Sequence, residues 1–146
     1  MEIIQSIAGF FIAIGILVTF HEFGHFYVAR LFNVKVLNFS IGFGKKIYTK
    51  KTTLDGTEYS IGLIPLGGYV KMLESRESED SMDVSLLNQC FDKQSVYKKF
   101  LIVAAGPIFN LILAVIFFIF VHFSGIAGMK PYITSIDNHT ISSSTT

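Results

Sequence analysis

Two long stretches of this chain carry no charged residue. They cover residues 3–20, which is 18 residues, and residues 100–129, which is 30 residues. A helix of about 20 apolar residues crosses the hydrocarbon core of a bilayer, so each stretch is long enough to span one. The first stretch stays largely apolar as far as Arg30. The pattern therefore predicts two transmembrane helices, over residues 1–30 and 100–128.

A secretory signal peptide is the alternative interpretation of the first stretch. Signal peptides begin with positive charge and carry an apolar region of about 7–15 residues. Here no Lys or Arg precedes Arg30, the apolar run is longer, and no small-residue cleavage site stands where one is expected. We therefore interpret the first stretch as a retained helix.

The segment between the helices has the pattern of β-structure. Residues 45–50 and 57–61 alternate with period two, and Asp55-Gly56 between them is a strong turn signal. Two glycine-rich apolar runs, 41–44 and 61–72, are too short and too interrupted to span a bilayer. They suit a re-entrant or interfacial loop, whose backbone polar groups have to form hydrogen bonds with protein or water at membrane depth. An ordinary cytoplasmic β-meander is the alternative, and pattern alone does not separate the two.

Residues 74–99 have a different character. Residues 74–80 form a polar, mixed-charge run that is typical of a solvated linker. Residues 88–99 mix apolar and basic side chains and predict an amphipathic helix at the membrane surface. Together with the two spans and the β-rich part, this divides the chain into residues 1–30, 31–73, 74–99, 100–128 and 129–146.

Charge sets the predicted orientation. Eleven of the twelve Lys and Arg residues lie between Arg30 and Lys99. Because short basic loops stay in the cytoplasm, residues 30–99 are expected there, with the N-terminus and the residues after about 128 on the opposite, periplasmic side.

Composition then excludes several classes of protein. The chain is 51% hydrophobic and 16% charged, with a mean hydropathy of +0.52, which excludes a disordered chain. One cysteine, Cys90, excludes a disulfide scaffold. A net charge of +1 favours no nucleic acid partner.

The candidate chemistry lies near the end of the first predicted span. Residues 21–25 read H-E-x-x-H. On a helix, positions i and i+4 share a face, so His21 and His25 can reach one metal ion while Glu22 projects beside it as a general base. Ionisable residues in an apolar helix are costly, which makes a functional site the default interpretation. If the helix ended at Phe20, the histidines would simply lie at the interface, but the apolar residues after Phe20 argue against this.

A catalytic zinc takes three protein ligands, and this motif supplies two. Asp55 belongs to a predicted turn. His122 lies 16 residues after Gly106, about 24 Å along the helix, which is too far from a motif on the cytoplasmic side. The remaining candidates are a lone thiol and two residues beyond the second span: Cys90, Asp137 and His139. The third ligand is therefore expected to lie outside this chain.

Taken together, the motifs resemble the N-terminal part of the bacterial site-2 proteases, a family of intramembrane zinc metalloproteases, in its RseP branch. The resemblance covers residues 1–141. Four segments carry it: His21-Glu22-Phe23-Gly24-His25, Phe39-Ser40-Ile41-Gly42-Phe43-Gly44, Ile64-Pro65-Leu66-Gly67-Gly68-Tyr69-Val70-Lys71-Met72 and Ala105-Gly106-Pro107-Ile108-Phe109-Asn110.

The resemblance implies Zn²⁺ on His21 and His25 and a general base at Glu22. It implies that Gly42 and Gly44 belong to a membrane re-entrant β-loop near the substrate, and it places Asn110 near the site and likewise near the substrate. In the family, the third ligand is an Asp in a later span, within a Leu-Asp-Gly motif that is surrounded by Asn and Pro residues. Residues 54–56 also read Leu-Asp-Gly, but they lack these surroundings. PDZ domains outside the cytoplasm precede that span, and residues 130–136 resemble a first PDZ strand.

We therefore expect an α-helical membrane protein of the bacterial inner membrane, with two transmembrane helices joined by a cytoplasmic-side β-hairpin or re-entrant β-loop. The expected partners are the lipid bilayer and a single-span membrane protein substrate. The expected function is that of a zinc-dependent intramembrane endopeptidase, present as an N-terminal part. The alternatives are a non-catalytic remnant of such a protease and a fragment of a metal transporter, and the absence of an inverted repeat disfavours the second.

Overall fold

The computed structural model describes residues 1–53, 55–78 and 84–125. The prediction of a PDZ-like segment at 129–146 lies outside the described residues. Two long helices flank a pair of long strands, and two short helical turns lie between the second strand and the second long helix. In chain order the elements are α1 (Glu2–Leu31), β1 (Val36–Lys51), β2 (Glu58–Met72), a 3-10 turn (Ser75–Ser78), α2 (Val84–Leu87) and α3 (Val96–Phe123).

Helices α1 and α3 correspond to the two predicted spans. Their 30 and 28 residues rise about 1.5 Å each, so both are long enough and apolar enough to cross a membrane. Helix α1 agrees with the predicted bounds to within a residue, whereas α3 begins at Val96, four residues before the predicted residue 100. Most of the large apolar side chains of both helices, among them Phe10 and Phe118, are exposed on the surface of the protein.

The β-structure predicted between the helices is confirmed, and it is more extensive than expected. β1 and β2 form one sheet with antiparallel pairing. The predicted strands at 45–50 and 57–61 are only the parts of β1 and β2 nearest the turn. The pattern underestimated both strands because the glycine-rich apolar runs beside them do not alternate, although they pair as strand.

The register shows how the sheet folds round β1. Residues 38–41 lie opposite residues 58–61 on one side and opposite residues 68–71 on the other. Beyond this doubly paired segment, Gly42 and Gly44 adopt φ values of +85° and +84°, which a glycine takes without the steric cost of a side chain. β1 therefore changes direction here, and its second half pairs only with residues 58–62.

The turn that joins the strands is anchored to the end of α1. Gly56 has a φ of +72°, and the backbone N–H of Thr57 donates to Oδ1 of Asp55 at 3.1 Å, as in an Asx turn. The Asp55 carboxylate forms an ion pair with Arg30, which also donates to the Thr57 hydroxyl at 3.0 Å. The predicted turn is thus confirmed, and Asp55 is engaged in it.

The predicted amphipathic helix over residues 88–99 is wrong in its first half. Residues 88–95 form turns, and the helix begins only at Val96. Long-range backbone pairing explains the difference: the N–H of Lys35 donates to the carbonyl of Gln89 at 3.0 Å, and the N–H of Phe91 donates to that of Leu73 at 2.8 Å. These bonds hold the segment against the end of β2 rather than in a helix.

Part of the predicted linker is held in place by hydrogen bonds. Ser75 donates both its hydroxyl and its backbone N–H to the Asp92 carboxylate, and these bonds lower the pKa of Asp92. A small apolar core lies beside this connection, where the end of α1, the start of β1 and α3 meet. Its buried members are Ala29, Val34, Val36 and Ile102.

Thr57 offers a test of the anchored turn. Its side chain is 1% exposed and its hydroxyl donates to the Val36 carbonyl at 2.8 Å while accepting from Arg30. Thr57→Val removes both hydrogen bonds and is expected to lower the free energy of unfolding by about 1–3 kcal/mol, measured by denaturation in detergent micelles. The control Thr53→Val alters an exposed residue and is expected to change stability by less than about 0.5 kcal/mol. Equal effects of the two substitutions would contradict the anchoring role.

Candidate metal centre and its helix frame

Two imidazoles of α1 meet edge to face on the side of the helix that packs against α3. The ring centroids of His21 and His25 are 4.9 Å apart with an interplanar angle of 83°, and their Nε2 atoms are 3.3 Å apart. The one-turn spacing in the sequence therefore brings the two rings together, as predicted. Both Nε2 atoms belong to one small polar centre on an otherwise apolar helix.

Helix α3 orients the second imidazole. Nδ1 of His25 lies 2.7 Å from the backbone carbonyl of Ile102. A carbonyl can only accept, so Nδ1 is the protonated nitrogen and the Nε2 lone pair of neutral His25 is directed to the centre. Imidazoles that bind metals are commonly held in this way, with the remote N–H on a carbonyl or carboxylate.

Two glycines allow the helices to come this close. A Cβ on Gly24 would lie 2.6 Å from the Ala105 carbonyl oxygen. A Cβ on Gly106 would lie 2.4 Å from Nε2 of His25 and 2.8 Å from Cε1 of His21. The spacing of the H-E-x-x-H motif did not predict that Gly24 and Gly106 allow this close approach. The sequence feature that could have shown it is a glycine in the interior of each helix, where glycine is intrinsically unfavourable.

Asn110 lies against the first imidazole. Its Nδ2 is 3.2 Å from Nδ1 of His21, and its Oδ1 is buried without a hydrogen-bond partner. Three residues of α3 spaced four apart thus face the two rings. Ile102 offers a backbone carbonyl, Gly106 leaves room for the rings, and Asn110 offers a side-chain amide. The expectation that Asn110 is near the substrate stays a prediction, whereas its contact with His21 is a feature of the fold.

The sheet meets this centre through Glu22. A Cβ on Gly68 would lie 2.8 Å from Cγ of Glu22, so β2 passes directly over this side chain. Gly68 is paired with Ile41, the residue before Gly42. Gly42 and Gly44 themselves pack within the sheet, where a Cβ on Gly42 would lie 2.9 Å from the carbonyl oxygens of Gly62 and Ile64. The structure therefore links the β1 bend to Glu22 through one pair of residues.

The other candidate ligands lie apart from the centre. Asp55 is engaged with Arg30, and His122 stacks on Phe118 near the far end of α3. The thiol of Cys90 is directed to the Leu86 carbonyl, and burial raises its pKa. Asp137 and His139 lie outside the described residues.

The centre fits two of the three protein ligands of a catalytic zinc. Within residues 1–53, 55–78 and 84–125, no three His, Cys, Asp or Glu side chains are grouped so that they could hold a metal ion. Two convergent imidazole nitrogens, with the remote nitrogen of each ring in a hydrogen bond, nevertheless match the donors that zinc takes from histidine.

Gly106→Ala tests the helix frame. The added methyl group has no room beside the two imidazoles, so the rings have to move, and Zn²⁺ or Co²⁺ affinity of the chain is expected to fall by at least about tenfold, measured by competition with a chromophoric chelator. Gly15→Ala in α1 is the matched control, because a Cβ there meets nothing within 4 Å. Unchanged affinity in Gly106→Ala would show that the close approach of α3 does not position the rings.

Comparison of the sequence with known proteins identifies its relatives. The pattern of peptidase family M50 matches residues 9–145. The chain is 49% identical over 140 residues to a protein of Vibrio cholerae described as a zinc metalloprotease, covering 96% of this chain and 30% of that protein. It is 45% identical over 141 residues to Protease RseP of Yersinia pestis and 43% identical over 141 residues to the regulator of sigma-E protease RseP of Escherichia coli. Each of these two alignments covers 97% of this chain and 31% of the relative.

The chain thus spans about a third of the length of the curated relatives that it matches. The match extends across both helices and the sheet, and it confirms the resemblance to the RseP branch of the zinc metalloproteases. By these similarities, the chain belongs to peptidase family M50.

Proposed function

We propose that this chain forms the first part of the catalytic unit of a zinc-dependent intramembrane endopeptidase that cuts single-span membrane proteins. The observation that carries the proposal is the pair of imidazole Nε2 atoms 3.3 Å apart, with Glu22 next to them on a long apolar helix. Membership of a peptidase family supplies the reaction class.

The proposed location is the bacterial inner membrane. The most apolar part of α1 is not buried within the protein, which suits contact with lipid better than contact with water. The concentration of Lys and Arg between Arg30 and Lys99 then favours the cytoplasmic side of the membrane for the sheet and the segment after it, with the N-terminus on the periplasmic side. In this orientation the two histidines lie in the cytoplasmic half of the membrane.

His21 and His25 are the proposed zinc ligands. Zinc held there supplies a Lewis acid that brings the pKa of a coordinated water to about 7. Because the described residues offer no third ligand beside the two imidazoles, we propose that it comes from outside them and, as the sequence predicts, from outside these 146 residues.

Glu22 is the proposed general base. Its position follows His21 by one residue, so it projects about 100° round the helix from the first imidazole. Its carboxylate takes a proton from the attacking water and returns it to the amide nitrogen that leaves. Gly68 is required beside it, since any larger residue would displace the carboxylate or the strand.

The sheet is the proposed support for the substrate. In a helical substrate the peptide groups are hydrogen-bonded within the helix, so the segment to be cut has to unwind first. Residues 68–70 pair with β1 on one side, and no strand among the described residues pairs with their other edge. An extended peptide can add to such an edge by main-chain hydrogen bonds, which would place it beside Glu22. Gly42 and Gly44 are near the substrate in this proposal because they bend β1, the strand with which this edge of β2 is paired.

Glu22→Gln tests the assigned roles. Expressed from the natural chromosomal locus, the variant is expected to lose cleavage of a single-span substrate by about 10²–10⁴-fold, because the base is removed. Its zinc content, measured by elemental analysis of the purified protein, is expected to be unchanged, because both histidines remain. Glu74→Gln, outside the helices, is the control. Loss of zinc from Glu22→Gln, or cleavage at the normal rate, would contradict the roles given to the motif.

The third ligand has a separate test. The purified 146-residue chain alone is expected to leave a model transmembrane substrate intact, because two histidines do not complete a catalytic zinc site. The measurement is the appearance of cleaved substrate in detergent or liposomes with and without a chelator. Chelator-sensitive turnover would show that this chain supplies its own third ligand and would require Asp55 to be reconsidered.

A further inference from the structure

The polar groups round His21 form a hydrogen-bond chain with a definite direction. Nδ1 of His25 donates to the Ile102 carbonyl, so Nε2 of neutral His25 can only accept. The contact between the two Nε2 atoms, 3.3 Å, is then a bond in which His21 donates. Nδ1 of His21 accepts in turn, and the Asn110 amide nitrogen 3.2 Å away is its donor. Each bond in the chain has one proton and one lone pair.

Metal binding by both imidazoles requires a different distribution of protons. Each Nε2 has to present a lone pair, so the proton of His21 has to move from Nε2 to Nδ1. His25 is already in the required form. In His21, the relocated N–H needs an acceptor, because a donor shielded from water and left without a partner is destabilising.

Asn110 can supply that acceptor without moving its backbone. A half turn about its last side-chain bond exchanges the amide nitrogen for the amide oxygen. The oxygen, Oδ1, has no partner in the orientation that the structure shows. We propose that Asn110 is a positioning residue that selects the tautomer of His21, with its nitrogen on Nδ1 when Nε2 carries the proton and its oxygen on Nδ1 when Nε2 binds a metal.

The frame of α3 makes this selection specific. Asn110 is two turns beyond Ile102 on the same stripe, with Gly106 between them leaving room for both rings. Ile102 uses a backbone carbonyl, which cannot be exchanged for a donor, and so holds His25 in one tautomer. Asn110 uses an amide, which can present either group. The two imidazoles of the motif therefore differ: one is permanently ordered and the other is switched.

The inference rests on the proposed metal site, but its test separates the two. We would label the histidines of the full 146-residue chain with ¹⁵N and record long-range ¹H–¹⁵N spectra in micelles at alkaline pH, where imidazoles are neutral. These spectra distinguish the Nδ1–H from the Nε2–H tautomer of each ring. His25, with its bond to Ile102, is the internal reference.

In the chelator-treated wild type we expect His21 as Nε2–H and His25 as Nδ1–H, and added Zn²⁺ is expected to convert His21 to Nδ1–H. Asn110→Asp has only acceptor oxygens, so His21 is expected as Nδ1–H even without zinc, with zinc affinity at least that of the wild type. Asn110→Leu is expected to bind zinc about 10–100-fold more weakly, with His25 unchanged. The matched control is Asn88→Leu, which alters an exposed asparagine outside α3 and is expected to have no effect.

Wild-type affinity in Asn110→Leu, or an Nε2–H form of His21 in Asn110→Asp, would overturn the proposal. A change at His25 in the Leu variant would also count against it, since it would indicate general loss of the site. Failure of the wild-type chain to bind zinc would count against His21 and His25 as ligands, whereas the difference in tautomer between wild type and Asn110→Asp would still decide the role of Asn110.

Discussion

The backbone contact between α1 and α3 is the constraint on which the rest of this structure depends. Gly24 of one helix faces the Ala105 carbonyl of the other, and Gly106 faces the two imidazoles. Only at this separation can the Ile102 carbonyl reach His25 and the Asn110 amide reach His21. The H-E-x-x-H motif thus lies on one helix, but the hydrogen bonds that order its rings come from the other.

Periodicity predicted the secondary structure well where the pattern is local. The uncharged runs became α1 and α3, and the Asp55-Gly56 turn lies between two strands. The failures have long-range causes. Residues 88–95 are not helical because their backbone pairs with Lys35 and Leu73, and no local pattern records such partners. The strands extend through glycine-rich runs because their backbone pairs with residues far along the chain, which the local pattern does not record.

The candidate site divides in a similar way. His21 and His25 come together because helical spacing alone brings them together. The roles of Gly68, Gly106 and Asn110 depend on contacts between elements, so spacing could not assign them. Each nevertheless left a trace in the sequence: two glycines inside regular elements, where they are intrinsically unfavourable, and an amide within a long uncharged stretch.

The double pairing of β1 also restricts the length of β2. Ile41 lies opposite both Ile61 and Gly68, so the number of residues between these two partners is set by the closed path round β1. Loss of one residue from this interval would bring Tyr69 to the place of Gly68, with a phenol ring where even a methyl group would lie 2.8 Å from Glu22. Insertions and deletions should therefore be purged from this interval during evolution, so the number of residues between Ile61 and Gly68 is expected to stay constant.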